Sequence, residues 1–136
     1  MSESKLSAQG IIMSRWFDRA IEVAKSSDGT KKVGCVGVRK NKLVSESPNF
    51  FKKSHPTQAM YARKANQPKR IHLHAEVATL IRAREEIDTL FVCRVNKKGD
   101  LRMSKPCPIC QLAIESEGIS IVYYTTDKGT WELMRL

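Results

Sequence analysis

The spacing of apolar positions in the first part of the chain predicts one helix followed by two strands. Between residues 11 and 26, apolar side chains recur every three or four positions, which is the pattern of an amphipathic helix. Residues 32–38 are rich in valine and glycine and read as a strand. A tight turn at residues 40–42 then leads into residues 43–46, which are predicted to pair back as a second strand.

The rest of the chain alternates between segments of helix type and strand type. Residues 47–71 are mostly polar and are predicted to form a loop that contains one short helix. In chain order, that short helix, a longer helix, a strand, a further helix and a further strand are predicted over residues 57–65, 74–84, 89–95, 107–116 and 119–125. Strands that alternate with helices indicate an α/β layered fold, which we expect to form one domain over residues 1–136.

The residues after the last of these strands predict a hairpin. A parallel return needs a crossover of a dozen or more residues, whereas ten residues follow Thr126 and they begin with the turn sequence Asp127-Lys128-Gly129. We therefore expect a fifth strand over residues 130–134, antiparallel to the strand before it. Its buried face is predicted to carry Trp131, Leu133 and Leu136.

Charge changes this picture, because 24 basic residues against 14 acidic ones give the chain a formal charge of +10. No acidic residue lies between Glu46 and Glu76. The cations within that gap are Lys52, Lys53, Arg63, Lys64, Lys69 and Arg70. Such a stretch is either a solvated surface or a binding surface for an anion, such as a nucleotide phosphate or a nucleic-acid backbone.

The termini and the cysteines bear on the compartment. The first residues are not followed by the apolar run of a signal peptide, and no apolar stretch is long enough to cross a bilayer. We therefore expect a cytoplasmic protein with no membrane partner, in which the four cysteines are thiols or metal ligands. Cys35 and Cys93 lie in apolar strands and are predicted to be core thiols.

Two short motifs carry the candidate chemistry. His74-Ala75-Glu76 begins one predicted helix, and Pro106-Cys107-Pro108-Ile109-Cys110 begins another. Together they supply one imidazole and two thiolates, which are three ligands for a tetrahedral Zn²⁺ with its fourth position open to water. Because zinc lowers the pKa of a bound water, Glu76 is predicted to be the catalytic proton carrier.

Each motif also has other interpretations. Cys-x-x-Cys at a helix start is found in redox pairs, although such pairs usually follow a buried strand directly and leave His74 and Glu76 unexplained. A zinc-stabilised binding module without catalysis is a further possibility. A closed structural site needs a fourth ligand, and the sequence offers no good candidate for it.

The combination of the two motifs resembles the cytidine/deoxycytidylate deaminase superfamily. The resemblance implies a three-layer α/β/α cytidine-deaminase-like fold, with a five-stranded mixed sheet and, from the hairpin argument, an antiparallel C-terminal strand. It implies Zn²⁺ held by His74, Cys107 and Cys110, with Glu76 as the catalytic residue. It further implies that the main-chain N–H of Ala75 binds the pyrimidine carbonyl and that Asn49 is the matching candidate for a sugar ligand.

The resemblance implies a deaminase but leaves the substrate open. The leading prediction is a small pyrimidine nucleotide, dCMP or CMP, whose phosphate is held by the basic stretch through Lys52, Lys53, Arg63 and Arg70. The alternative is a cytosine or adenine deaminase that acts on single-stranded DNA or RNA, with the basic stretch following the backbone. We also expect the chain to form a homo-oligomer.

Overall fold

The structure, a computed structural model, describes residues 8–136, with side-chain surroundings from residue 14 onward. Its four helices are α1 (Ala8–Lys25), α2 (Pro56–Lys64), α3 (Ala75–Arg82) and α4 (Pro108–Ser116). Its six strands are β1 (Lys32–Arg39), β2 (Lys42–Pro48), β3 (Thr89–Val95), β4 (Leu101–Arg102), β5 (Ile121–Thr125) and β6 (Trp131–Arg135).

The strands form one mixed sheet in the order β2-β1-β3-β5-β6, and β4 pairs with β3 beside this path. β1 is antiparallel to both β2 and β3. β3 is parallel to β5, and β5 is antiparallel to β6. The mixed α/β fold and the antiparallel last strand are therefore confirmed. The expected five strands are joined by a sixth, β4, which is only two residues long and carries too little pattern to be predicted.

The prediction for the buried face of β6 is wrong for two of its three residues. Leu133 is 42% exposed and Leu136 is 36% exposed, whereas Trp131 is half-buried. The reason is that β6 is an edge strand, while α1 packs against β1 and β3 in the middle of the sheet. Only the Trp131 end of β6 reaches the cluster under α1, and Met134 packs on the opposite face.

Helices cover the sheet on both faces. The face under α1 is an aromatic cluster in which Phe17 stacks on Trp131 with ring centroids 4.3 Å apart, and Phe91 stacks on Tyr123 at 5.3 Å. α1 lies close to β1 because Gly34 has no side chain, and a Cβ there would lie 2.3 Å from the main-chain nitrogen of Ala24.

The other face of the sheet carries α3 and α4, with α2 packed against α4. Helices therefore lie above and below one sheet, which is the expected three-layer arrangement. Of the helices that the structure describes, none is long and apolar enough to cross a membrane.

Candidate metal and substrate site

Both motifs lie at helix starts on the same face of the sheet. His74 is the N-cap residue of α3 and Cys107 is the N-cap residue of α4, where Pro108 occupies the first turn. Proline suits this position because its missing N–H has no partner to lose there. The main-chain N–H of His74 donates to Oε1 of Gln58, which is fully buried in α2. Three helices thus fix the backbone around the site.

The side chains of His74, Cys107 and Cys110 converge on one point. Their potential ligand atoms all lie within 4.8 Å of one another. Nδ1 of His74 is 3.2 Å from Sγ of Cys110 and 3.6 Å from Sγ of Cys107. One imidazole nitrogen and two sulfurs are the donor set of catalytic zinc sites that keep one position open, so these residues fit Zn²⁺.

The two thiols differ in acidity because they share one hydrogen bond. The S–H of Cys110 donates to Sγ of Cys107, and the ring of His74 also bonds to Sγ of Cys107. These two hydrogen bonds lower the pKa of Cys107 to about 4. The first of these bonds and complete burial raise the pKa of Cys110. Cys107 is therefore a thiolate at neutral pH even in the metal-free protein, and thiolate is the form that binds metal.

Glu76 lies beside this cluster but is not one of its members. Its side chain is 6% exposed, yet it lines the same cavity as His74 and Cys107. Burial raises the pKa of the Glu76 carboxyl, and the nearby charge of His74 lowers it, with burial prevailing. A carboxyl whose pKa is raised toward neutrality is suited to take up and release a proton.

The segment that leads to Cys107 is tied to the sheet by a buried hydroxyl pair. Oγ of Ser104 accepts from the main-chain N–H of Thr125 (2.7 Å) and donates to the carbonyl of Val92 (2.8 Å). Oγ1 of Thr125 accepts from the N–H of Arg94 (3.1 Å) and donates to the carbonyl of Arg102 (2.6 Å). These bonds hold residues 102–104 against the ends of β3 and β5.

A cavity of about 480 Å³ opens above the cluster, large enough for a nucleotide-sized ligand. Ala75, Phe50 and Phe51 line it together with the site residues. Its basic lining residues come from several separate segments of the chain and are Lys31, Lys69, Arg70, His72, Arg94 and Lys105.

The predicted substrate residues fall into two groups. Ala75, Asn49 and Arg70 line the cavity, whereas Lys52, Lys53 and Arg63 are exposed and do not line it. The ammonium of Lys53 lies 4.7 Å from the ring centroid of Phe50. Phe50 lines the cavity, so the contact of Lys53 with the cavity is indirect. The sequence argument treated residues 52–70 as one unit, but α2 lies between Lys53 and Arg70 and carries Arg63 away from the cavity.

Asn49 lines the cavity with its side chain already engaged. Its Oδ1 accepts from the hydroxyl of Ser27 (2.8 Å) and from the N–H of Val33 (3.1 Å), and its Nδ2 donates to the carbonyl of Lys31 (2.8 Å). One Nδ2 hydrogen remains for a ligand, since an amide nitrogen carries two. The side chain therefore holds the loop before β1 in place and has one donor left for a sugar.

Sequence reasoning missed three cations of the cavity, namely Lys31, Arg94 and Lys105. Lys105 carried a usable signal, because it directly precedes Pro106 and Cys107. Arg94 carried a weaker one, because it interrupts the otherwise apolar strand over residues 89–95. Lys31 becomes visible only when the sheet places the start of β1 beside the end of β3.

A model of the cytidine and deoxycytidylate deaminase zinc-binding region matches residues 12–126 of the chain. Because this match spans most of the chain, the protein belongs to that family. It is a zinc-type deaminase, and the cluster of His74, Cys107 and Cys110 fits the Zn²⁺ of the family.

Solved structures show the same fold. The dCMP deaminase of the cyanophage S-TIM5 in apo form is similar with a TM-score of 0.59 and 23% identity, over 84% of this chain and 82% of that one. The same phage enzyme in complex with dCMP and dUMP is similar with a TM-score of 0.59 and 22% identity, over 84% of this chain and 80% of that one. A search of curated proteins finds no significant match.

Proposed function

We propose that this deaminase converts the cytosine ring of a small pyrimidine nucleotide, dCMP or CMP, to uracil with release of ammonia. The observation that carries the proposal is one cavity in which the buried carboxyl of Glu76 lies beside a His–Cys–Cys cluster. The phage deaminase of similar fold, whose complex contains dCMP and dUMP, supports a nucleotide as the substrate.

His74, Cys107 and Cys110 would hold the metal. When bound, Zn²⁺ supplies Lewis acidity that brings the pKa of a coordinated water close to neutrality. The three side chains would hold the metal beside the cavity and, as a set of three ligands, would leave one position open. The low pKa of Cys107 favours this, because no proton has to leave that sulfur at neutral pH.

Glu76 would carry the protons of the reaction. Its carboxylate takes a proton from water and delivers it to the ring nitrogen. It then takes the proton of the hydroxyl that has been added to the ring carbon and delivers it to the amino group, so that the hydroxyl becomes the carbonyl and ammonia departs. The net change replaces the C–NH₂ bond with a C=O bond at the cost of one water. Burial of the carboxyl keeps these protons from exchanging freely with solvent.

Ala75 would orient the base. As the first residue of α3, it has a main-chain N–H that finds no carbonyl partner within its own helix. That N–H lines the cavity next to Glu76 and suits the pyrimidine carbonyl as an acceptor. The remaining hydrogen on Nδ2 of Asn49 suits a sugar hydroxyl.

The test is ammonia release by the purified, zinc-loaded protein across a panel of substrates. We expect turnover of dCMP or CMP and much weaker turnover of the nucleosides. No ammonia from any cytosine compound, with one zinc bound per chain, would overturn the proposed function.

A second candidate is a cytosine or adenine deaminase acting on single-stranded DNA or RNA. It is favoured by the number of basic residues that line the cavity, which exceeds what one phosphate needs. The same panel tests it, because oligonucleotides would then outperform monomers and their turnover would fall steeply with added salt. The expected homo-oligomer and the cytoplasmic location stay predictions.

A further inference from the structure

A basic hairpin, defined here as residues 94–105, lies between the end of β3 and the zinc-ligand motif. β3 pairs with β5 only over Thr89–Val92, and beyond that point its neighbour is β4. The hairpin carries one acidic residue, Asp100. Its cations are Arg94, Lys97, Lys98, Arg102 and Lys105.

Two of these cations are held directly opposite each other. Arg94 pairs with Arg102 in the antiparallel register of β3 and β4. Like charges at directly opposed positions destabilise a sheet. The ion pairs among the residues that the structure describes are Arg19–Glu46 and Arg39–Glu86, so neither arginine of the hairpin has an acidic partner there. An arrangement that costs stability and lacks a counter-charge among the described residues points to an anion from outside.

The strand pattern places this charge on the face that carries the site. Leu90 and Val92 pack in the cluster under α3 and α4, so Arg94, two residues further, faces the same way. Arg94 and Lys105 line the cavity that contains Glu76. The backbone of Arg94 is also fixed by its hydrogen bond to Thr125.

The hairpin and the loop before α3 lie on different sides of the cavity. Val33 of β1 lies between the hairpin and this loop. On one side Val33 pairs with Arg94 of the hairpin, and on the other side its carbonyl accepts from the N–H of Asn49 at the end of β2. The N–H of Phe50 bonds in turn to the carbonyl of Leu73, which places the loop with Lys69 and Arg70 on the β2 side.

We propose that the cavity end of the basic hairpin binds the phosphate of the substrate, with Arg94 as its direct ligand and Lys105 beside it. Arg102, which is exposed and pairs with Arg94 across the two strands, would add its charge from the rim of the cavity. This inference rests on the proposed function and names a recognition element for it. The guanidinium of arginine matches phosphate oxygens with two parallel hydrogen bonds. A phosphate bound at Arg94 would also relieve the repulsion between Arg94 and Arg102. A phosphate bound at Lys69 and Arg70, on the other side of the cavity, would not.

Three double variants with the same loss of charge test the proposal. Arg94→Gln with Arg102→Gln removes the proposed ligand and the cation directly opposite it. Lys97→Gln with Lys98→Gln removes two charges from the exposed tip of the same hairpin, which does not line the cavity. Lys69→Gln with Arg70→Gln removes two charges from the opposite side.

The first readout is the KM for the monophosphate and for its nucleoside. The Arg94/Arg102 variant should raise the KM for dCMP or CMP by about 10- to 100-fold, the range expected for a lost charge-assisted hydrogen bond, and leave the nucleoside almost unchanged. The Lys97/Lys98 variant should leave both unchanged. A rise confined to the Lys69/Arg70 variant, or a rise equal for nucleotide and nucleoside, would overturn the proposal.

The second readout is equilibrium binding of dUMP and uridine, which does not depend on turnover. If the wild-type protein bound dUMP through the hairpin but released no ammonia, the proposed function would fail while the phosphate site stood. If the wild type turned over dCMP or CMP and the Arg94/Arg102 variant bound dUMP as well as the wild type, the proposed phosphate site would be wrong while the proposed function stood.

A third arm separates the two sources of phosphate. Single-stranded oligonucleotides with an internal cytosine present phosphodiesters, whereas dCMP presents a phosphomonoester. The Arg94/Arg102 variant should lose activity on whichever of them the wild type prefers. Equal activity of variant and wild type on both would contradict the proposal. As a folding control, Arg102→Gln should not lower the melting temperature, because it removes a like-charge pair.

Discussion

The two faces of the sheet are built from different kinds of residue. Under α1 the core contains aromatic rings that stack and meet edge to face, among them Phe17, Phe91 and Tyr123. Under α3 and α4 the buried residues include a carboxyl, an amide and a threonine hydroxyl, namely those of Glu76, Gln58 and Thr79. The core on the α1 side consists mainly of apolar side chains, whereas the core on the other side also contains buried polar groups.

This difference shows where the fold gains stability and where it holds chemistry. Aromatic pairs stabilise beyond the area that they bury, so the α1 face can offset the cost of polar groups on the other face. One of these groups, Nε2 of Gln58, is buried and has no hydrogen-bond partner among the described residues, while its Oε1 accepts from the main-chain N–H of His74. We therefore expect substitutions on the two faces to separate stability from catalysis.

The largest effect is expected from the metal ligands. A Cys107→Ala, Cys110→Ala variant should lose bound zinc and all turnover, because only His74 of the ligand set remains. Elemental analysis of the purified protein gives the zinc content. Cys93→Ala, which removes a buried thiol from the α1 face, is the matched control and should keep one zinc per chain. Full zinc occupancy in the double variant would refute the ligand assignment.

The next largest effect is expected at Glu76. Glu76→Gln keeps the volume of the side chain but cannot exchange a proton, so kcat should fall by about 10²- to 10⁴-fold. Zinc content and melting temperature should stay close to those of the wild type, because the carboxylate is not a member of the metal cluster. Loss of zinc in this variant would instead assign Glu76 as a ligand.

On the opposite face, Phe91→Ala should cost stability and spare the chemistry. The side chain is buried and stacks on Tyr123, so its truncation should lower the free energy of unfolding by about 3–5 kcal/mol. Denaturant unfolding measures the loss. Phe91→Leu should lose less and remain folded, with an unchanged KM for substrate. A changed KM in Phe91→Leu would show that the two faces are not separable.

Thr125 lies where the two faces meet, at the end of β5. Thr125→Val leaves the N–H of Arg94 and the carbonyl of Arg102 without their buried partner, which should cost about 1–3 kcal/mol of stability. Because the same bonds hold the segment before Cys107, zinc should also pass faster to a chelator. Thr126→Val, which disturbs a hydroxyl pair with Thr130 in the β5–β6 turn, is the control and should not change zinc release.

The last effect concerns the thiol of Cys93, and it is absent at neutral pH because it begins only above pH 9. Burial raises the pKa of Cys93 from its ordinary 9.0 to about 12, so the folded protein keeps the thiol proton where the unfolded chain loses it. The stabilisation from the protonated thiol is complete below pH 9 and is lost as pH rises toward 12. Relative to Cys93→Ala, the wild type should lose at most about 1.4 kcal/mol of stability per pH unit in that window. A constant difference would contradict this.

Much of the fold and the centre of the site could be predicted from the sequence, because they depend on local pattern. β3 agrees at both ends with the predicted strand, which was located by its continuous run of apolar residues. His74, Glu76, Cys107 and Cys110 stand in short motifs whose spacing reflects the first turn of a helix, so their convergence needed only the assumption of one shared fold.

The parts that failed depend on contacts that are distant in sequence. Whether Arg63 or Arg94 lines the cavity depends on how α2 and β4 pack against the rest of the molecule. The distribution of charge along the sequence does not predict that packing. The exposure of Leu133 follows from the position of α1 over the middle of the sheet. In each case the contacts that decide exposure come from segments that are distant in sequence.

The stack of Phe17 on Trp131 joins the first described helix to the last described strand. A ribosome makes these two segments at different times, so the ring of Phe17 is without this stacking partner until β6 emerges. The elements that form the metal site all lie between β1 and β5 and are made earlier. Until β6 emerges, the side of Phe17 that Trp131 covers is exposed apolar surface, which is the kind of surface that chaperones recognise during synthesis.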